Sequence, residues 1–405
     1  MKNRILLILA CLTFLTNVLF SQQDFQGIGG INTENYPRVD GSTSTNPLNY
    51  IITSKLLDLE YKWISIGGIN DVYFPSALEL PLSFRQKIQC SQTHWAIINL
   101  IDNQTDLIIV ARKMSEDEKE HANNTGVSLI ETPIALDALD FVFNAENAVN
   151  SLSVEQIQDI YLGNITNWKE VGGADEVIKP FIRNANSGSQ EMMNEIVMYN
   201  IGMPNWEVSY ADELRLGSMI LVYNELRYSK NGICFTPHYY KEYMVADDIL
   251  GKENIKTFAI NGIMPDKNSI ENKTYPFVAN VYASIRSDLD KNSMAYKLYE
   301  WLQTPSGKSV IEESGYVPYK SGENSIKQIS NQHIQISPNP TEGIIEIKGI
   351  EDYRNLNYTV YNSVGQIVQS GKLKQTIDLS SRKGLNILTV MQNQQVIARE
   401  KIVVK

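Results

Sequence analysis

Apolar and polar positions along this chain follow two different rhythms. From about residue 36 to 319, short apolar runs alternate with segments whose apolar positions recur at helical spacing. The runs at 63–66 (WISI), 106–111 (DLIIVA) and 139–143 (LDFVF) read as strands, and residues 46–57 and 94–101 read as helices between them. Strands alternating with helices predict an α/β architecture, with parallel sheets covered on both faces. The clearest helix signal is SVEQIQDIY at 153–161, where Ser153 precedes the periodic run and Gln156 stands three residues on, the spacing of a reciprocal cap. Further helices are predicted at 191–198, 214–224, 295–302 and 307–314.

Near 320–332 (KSGENSIKQISNQ) the chain turns polar and loses its period, which predicts a linker. From His333 onward, short alternating runs such as GIIEIK, LNYTVY and LNILTV are separated by Gly, Asn and Ser turns. That spacing predicts a small immunoglobulin-like sandwich of about seven strands. At the other end, Lys2 and Arg4 precede an apolar run from Ile5 to Phe20 and then Ser21-Gln22-Gln23. This is the layout of a secretory signal peptide at 1–22, and the run is shorter than the roughly 20 residues that span a bilayer. The ILAC of residues 8–11 is a poor lipoprotein box, because the apolar run continues past Cys11.

A chain of 405 residues predicts roughly two to three domains. Its net charge of −10 argues against a broad nucleic-acid or anionic-membrane surface, since those partners need a positive field. A small anion is compatible with that charge, because local dipoles and one Arg suffice to hold it. Beyond Cys11 in the signal, Cys90 and Cys234 remain, and buried free thiols are the simpler expectation for two scattered cysteines.

The leading candidate for chemistry is DGSTSTNPL at 40–48. Ser42, Thr43 and Ser44 fall between a Gly and a helix start, where hydroxyls and free N–H groups sit at the positive end of the helix dipole. One such residue would cap a helix; four consecutive hydroxyls point to an anion cradle. A second candidate is RNANSGSQ at 183–190. There Arg183 offers a fork for two oxygens of a tetrahedral anion, and Ser187, Gly188 and Ser189 converge as donors, with Gln190 following. Ser91 and Thr93, ahead of the 94–101 helix, are further donors or plain caps. Asp106, opening an apolar strand, is either a hydrogen-bonded structural acid or the acceptor of a phosphate proton. In the second role it would repel sulfate, which carries no proton.

No GxxxxGK[ST], HExxH or GxSxG motif and no Cys/His cluster is present, so no catalytic, metal or cofactor apparatus is expected. Tyr239, Tyr240 and Tyr243 read as core and cleft rim.

With these residues in hand, residues 40–319 resemble the phosphate-binding component of high-affinity phosphate ABC transporters, a class II periplasmic binding protein. DGSTSTNPL, TDLIIVAR, NSLSVEQIQDIYLGNITNWKEVGG, RNANSGSQEMM, NGICFTP and YEWLQTPSGKSVIEESGYVPY carry the likeness, in that order. The resemblance implies two lobes, one at about 36–133 and 232–322 and the other at about 134–231, within a 23–322 domain that closes like a hinge over a dehydrated anion. It implies Ser42, Thr43 and Ser44 as first-lobe donors, Asp106 as the proton-accepting acid, and Arg183, Ser187, Gly188 and Ser189 as the second-lobe set. Gln190 departs from a Thr-rich pattern, and the 91–93 segment aligns poorly.

After a linker at 323–334, residues 335–405 resemble the type A C-terminal sorting domain of the type IX secretion system of Bacteroidota, through ISPNPTEGIIEIKG, YTVYNSVGQIVQSG, IDLSSRKGLNILTV and KIVVK. The implied partners are inorganic phosphate, a phosphate ABC permease and the type IX machinery, with the cell surface or exterior as destination and the periplasm as the alternative. A non-enzymatic phosphate binder is thus expected. A surface adhesin or matrix protein that has lost or changed the ligand is the alternative, and a phosphatase on this scaffold has no visible apparatus.

Overall fold

The structure, a computed structural model, describes residues 25–198, 211–246, 252–320, 335–350, 353, 356–362, 367–392 and 395–405. The expected signal peptide and the 323–334 linker lie outside the described residues. The chain divides into two compact units, Met1–Val197 with Tyr210–Tyr319, and Met198–Ser209 with Lys320–Lys405.

The first unit is organised by one strand of 16 residues, Leu129–Asn144, which is buried without a break from Ile134 onward. Burial on both faces is why the run IALDALDFVFN is nearly continuous rather than alternating. The early part of this crossing strand pairs antiparallel with Val278–Arg286, and its late part with Gly232–Pro237 and Ile255–Thr257. Beyond Val278–Arg286 come Leu107–Val110 and then Val39–Gly41, the last two parallel. Beyond Gly232–Pro237 comes Lys179–Pro180, again parallel. Each half of the crossing strand therefore serves a different half of the sheet. The resemblance returns the chain to the first lobe at 232; the pairing places 232–237 and 255–257 in the second half, and the return falls at Val278.

Layering follows from the period of two. In Leu107–Val110 all four residues are buried. Leu107 and Ile109 join Leu48, Ile51 and Ile52 of the helix Asn46–Leu57 in one core, while Ile108 and Val110 join Ala96, Ile97 and Leu100 of the helix Thr93–Ile101 in another. One strand thus fixes two helices on opposite faces, each buried Ile or Leu contributing about 1.5–3 kcal/mol.

The helix with the reciprocal cap is present as Val154–Tyr161: Gln156 N donates to Ser153 Oγ at 3.1 Å and Ser153 N to Gln156 Oε1 at 2.8 Å. The WISI run differs from expectation. It belongs to an antiparallel hairpin, Lys62–Ile66 with Ile69–Tyr73, because Gly67 and Gly68 both take positive φ (60° and 88°) and turn the chain straight back. The 191–198 helix is shortened to Gly188–Met192 and continues as a wider π turn, Met193–Val197. The 214–224 helix shifts to Met219–Tyr228 behind the strand Arg215–Leu216, since Gly217-Ser218 interrupts the period.

The second unit has seven described strands in two sheets. Gln335–Ser337, Ile344–Lys348 and Thr376–Asp378 form one; Ile367–Lys372, Leu356–Asn362, Gly384–Gln392 and Gln395–Val404 form the other. Ile345, Ile347 and Ile377 of the first meet Leu356, Val360 and Leu388 of the second in one buried core, a sandwich as the turn spacing predicts.

Candidate functional site

The parallel strands Val39–Gly41 and Leu107–Val110 end side by side, with Gly41 opposite Ile109. Their C-terminal ends are where an α/β sheet leaves a crevice for a ligand. A Cβ on Gly41 would fall 2.6 Å from Ile109 O and 2.7 Å from Thr45 Oγ1, so no other residue fits there. Thr45 Oγ1 donates to Ile109 O at 2.5 Å and to Ser42 O at 3.0 Å, closing the turn Thr43–Thr45 that leads into the helix Asn46–Leu57. The hydroxyl run therefore splits in role. Thr45 clamps the loop, and Ser44 is buried with its carbonyl accepting from Tyr316 Oη at 2.9 Å. Thr43 is half-exposed beside Cys90. Ser42 Oγ accepts from Ala111 N at 3.1 Å and lies 2.8 Å from Thr93 Oγ1.

Thr93 opens a helix of nine residues whose cap position, Gln92, stands at φ 69° with no side-chain cap bond. The first-turn N–H groups thus face the loop uncapped by a side chain. Asp40 holds this geometry from below: its Oδ1 accepts from Gly41 N and Ser91 N, each at 2.7 Å, and its Oδ2 from Asn99 Nδ2 at 2.9 Å. Ser91 Oγ accepts from the same Asn99 amide at 3.2 Å, so Ser91 belongs to the scaffold.

Beside the second half of the sheet, Arg183 ends the short strand Ile182–Arg183, which pairs parallel with Arg215–Leu216, and it is 5% exposed. Its N donates to Gln190 Oε1 and its Nε to Leu216 O, both at 2.9 Å, and its Nη1 to Ser189 Oγ at 3.0 Å. Ser187 Oγ accepts from Gln190 N at 3.2 Å and lies 3.2 Å from Ser189 Oγ. Gln190 is thus a brace that reaches back under Arg183. Burial pulls the Arg183 guanidinium below its ordinary pKa, against the opposing pull of Cys234 and Tyr240, and among the described residues no carboxylate pairs with it. A buried cation without a counter-ion is costly unless an anion joins it.

The two loops meet at Gly188. A Cβ there would sit 2.4 Å from Thr93 Oγ1, so the second-half loop packs directly against the hydroxyl that touches Ser42. The structure therefore brings Ser42, Thr93, Gly188, Ser187, Ser189 and Arg183 to one place. Thr93, the least conspicuous of the candidates in sequence, is the residue that joins the two sets.

Asp106 is not among them. The parallel register pairs Val39 with Leu107, so Asp106 stands beside Arg38 at the opposite ends of those strands, about 13 Å from Ser42 at 3.3 Å per residue. It accepts from Arg38 N at 2.8 Å and from Arg38 Nη2 at 2.5 Å. Its strand-edge position has the ordinary structural explanation.

Sequence reasoning gave no role to Arg112, the last residue of TDLIIVAR. Arg112 is buried and bonds Glu118 through both Nη atoms at 2.7 and 2.8 Å, and His94 Nδ1 lies 2.8 Å from the same carboxylate. Burial alone would raise Glu118, but the Arg112 fork and charge hold it below its ordinary value. It also missed a charged group at the crossing: Asp140 lies 3.0 Å from His238 Nδ1 and 3.2 Å from Lys241 Nζ, and Lys241 bonds Glu242. Asp140, His238 and Glu242 offer ligand atoms within 4.8 Å of one another, but Lys241 already occupies that charge as an ammonium. Tyr239 stacks on Tyr316 at 3.9 Å and Tyr240 is buried, while Tyr243 is exposed, as core and rim require. Cys90 and Cys234 are both free thiols, but only Cys234 is buried as expected; Cys90, in the loop before Ser91, is exposed.

Residues 86–306 match the model of the PBP superfamily domain, and residues 335–405 match that of the secretion system C-terminal sorting domain. The phosphate-binding protein PstS of Borreliella burgdorferi is 24% identical over 269 residues, 64% of this chain and 91% of that protein. The phosphate-binding protein PstS of Staphylococcus haemolyticus is 25% identical over 235 residues, 56% of this chain and 71% of that protein. An ABC-type phosphate transport receptor from Vibrio cholerae, a solved structure, is 21% identical with a TM-score of 0.47 and covers 69% of this chain and 98% of its own. The family-model matches over residues 86–306, more than half of the chain, and over 335–405 establish that the chain belongs to the PBP superfamily and carries a secretion-system sorting domain at its C-terminus.

Proposed function

We propose that this chain is an exported, non-enzymatic binding protein that captures inorganic phosphate between the two halves of its sheet. The observation that carries the reading is Arg183: a buried guanidinium bonded, among the described residues, only to neutral groups, with the hydroxyls of Ser42, Thr93, Ser187 and Ser189 gathered at the same place. Hydroxyl and amide donors with one fixed cation replace the water shell of a tetrahedral anion, and such a set holds the ion without reacting with it. Relatives named phosphate-binding proteins support the choice of ion. The sorting domain supports passage to the cell surface or beyond, where the chain would capture phosphate apart from a permease.

Isothermal titration of the full chain with phosphate tests this. The wild type gives saturable heat, and Arg183→Ala weakens binding at least about 30-fold, as truncating one partner of a buried charge pair does. Absence of heat in the wild type contradicts the proposal.

A further inference from the structure

On top of the phosphate reading, we infer that the site selects its ion by tetrahedral shape and charge and not by its proton, so that it takes sulfate alongside phosphate. A site that rejects sulfate needs a carboxylate facing the ion, to accept the proton of hydrogen phosphate and repel the bare dianion. Among the described residues on the elements that build this site, the carboxylates are committed elsewhere, and Glu195 on Met193–Val197 lies in the field of Arg112 and Lys119. Asp40 accepts from Gly41 N, Ser91 N and Asn99, and Asp71 accepts from Asn46 Nδ2 and Val72 N, both at 2.8 Å. Asp106 is paired with Arg38, and Glu118 with Arg112 and His94. Glu191, on the helix after Gly188, lies in the field of Arg112.

The groups that do converge are donors, and their protons can be followed. Ala111 N–H donates to Ser42 Oγ, which lies on Thr93 Oγ1; Gln190 N–H donates to Ser187 Oγ, which lies on Ser189 Oγ. Each pair of hydroxyls shares one of its two protons, whichever member donates, so one proton of each pair remains to donate beside Gly188, which Thr93 contacts and Ser189 follows. A donor-ended pocket suits an ion that only accepts. Sulfate is such an ion, and hydrogen phosphate fits by letting a hydroxyl oxygen accept its single proton.

The experiment is calorimetric titration of the wild-type chain with sodium phosphate and with sodium sulfate at pH 7.5, repeated on Asp106→Asn. The expected result is a sulfate dissociation constant within about thirtyfold of that for phosphate, about 1.5 powers of ten at most, and the same ratio in Asp106→Asn. Phosphate binding with sulfate weaker than this, or a ratio that changes in Asp106→Asn, overturns the inference and leaves the phosphate reading standing. Heat with neither ion overturns both.

Discussion

Gly188 and Thr93 meet so closely that a single methyl group decides whether the two loops can lie together. Gly188 is outside the left-handed region, so its backbone accepts Ala; the obstacle is Thr93 Oγ1, 2.4 Å from the new Cβ and tied to Ser42. Gly188→Ala is therefore expected to weaken phosphate binding about tenfold or more. Thr93→Ala removes the obstructing atom along with one donor, so Thr93→Ala/Gly188→Ala binds no worse than Thr93→Ala alone. Titration of the three variants checks this, and additive losses contradict it. At this scale the sequence was partly legible. RNANSGSQ and the first serine of GSTST announce donors because hydroxyls next to Gly at a helix start have few other uses. Asp106 misleads because a carboxylate at the edge of an apolar strand looks the same whether its partner is a ligand or Arg38, and the partner is decided by strand register, which no local pattern carries.

Among the elements, the crossing strand Leu129–Asn144 carries an unusual load. Asp137 on it is 2% exposed, accepts from Ala138 N and Tyr239 N through Oδ1, and leaves Oδ2 without a partner. Burial pushes its carboxyl up from 3.8 to about 6, against the pull of His238, with Asp140 adding to the rise; the stacked Tyr239 and Tyr316 lie against it. Because the folded value is raised, the acid is neutral in both folded and unfolded chains below about pH 4. Between about pH 4 and 6 the unfolded chain ionises while the buried acid stays protonated, so the fold loses stability approaching about 3 kcal/mol, and the loss levels off above about pH 6. Asp137→Asn removes that charge while keeping an acceptor for the two N–H groups. Its stability relative to wild type is expected to rise between pH 4 and 7, and denaturant unfolding across that range measures it; a gap independent of pH contradicts it. The strand's length was not legible as a whole. The 139–143 run marks only its fully apolar end, while the antiparallel partner Val278–Arg286 carries the pairing past Thr132 and Pro133 with a shift in register.

For the whole molecule, the α/β class and the sandwich at the C-terminus were legible because their periods differ and because composition changes where one stops. The division of the sheet was not: the resemblance returns the chain to the first lobe at 232, and which half residues 232–237 join depends on pairing with Phe141 and Lys179 far away in sequence. The same long-range pairing is what brings the loop at Ser42 against the loop at Gly188, so the fold and the site are one consequence of the crossing strand. The most direct measurement is a crystal structure of the chain grown with phosphate. The account predicts tetrahedral density with oxygens about 3 Å from Arg183 Nη, Thr93 Oγ1 and Ser189 Oγ; an ion bound elsewhere, or an Arg183 neutralised by a carboxylate of the chain itself, would contradict it.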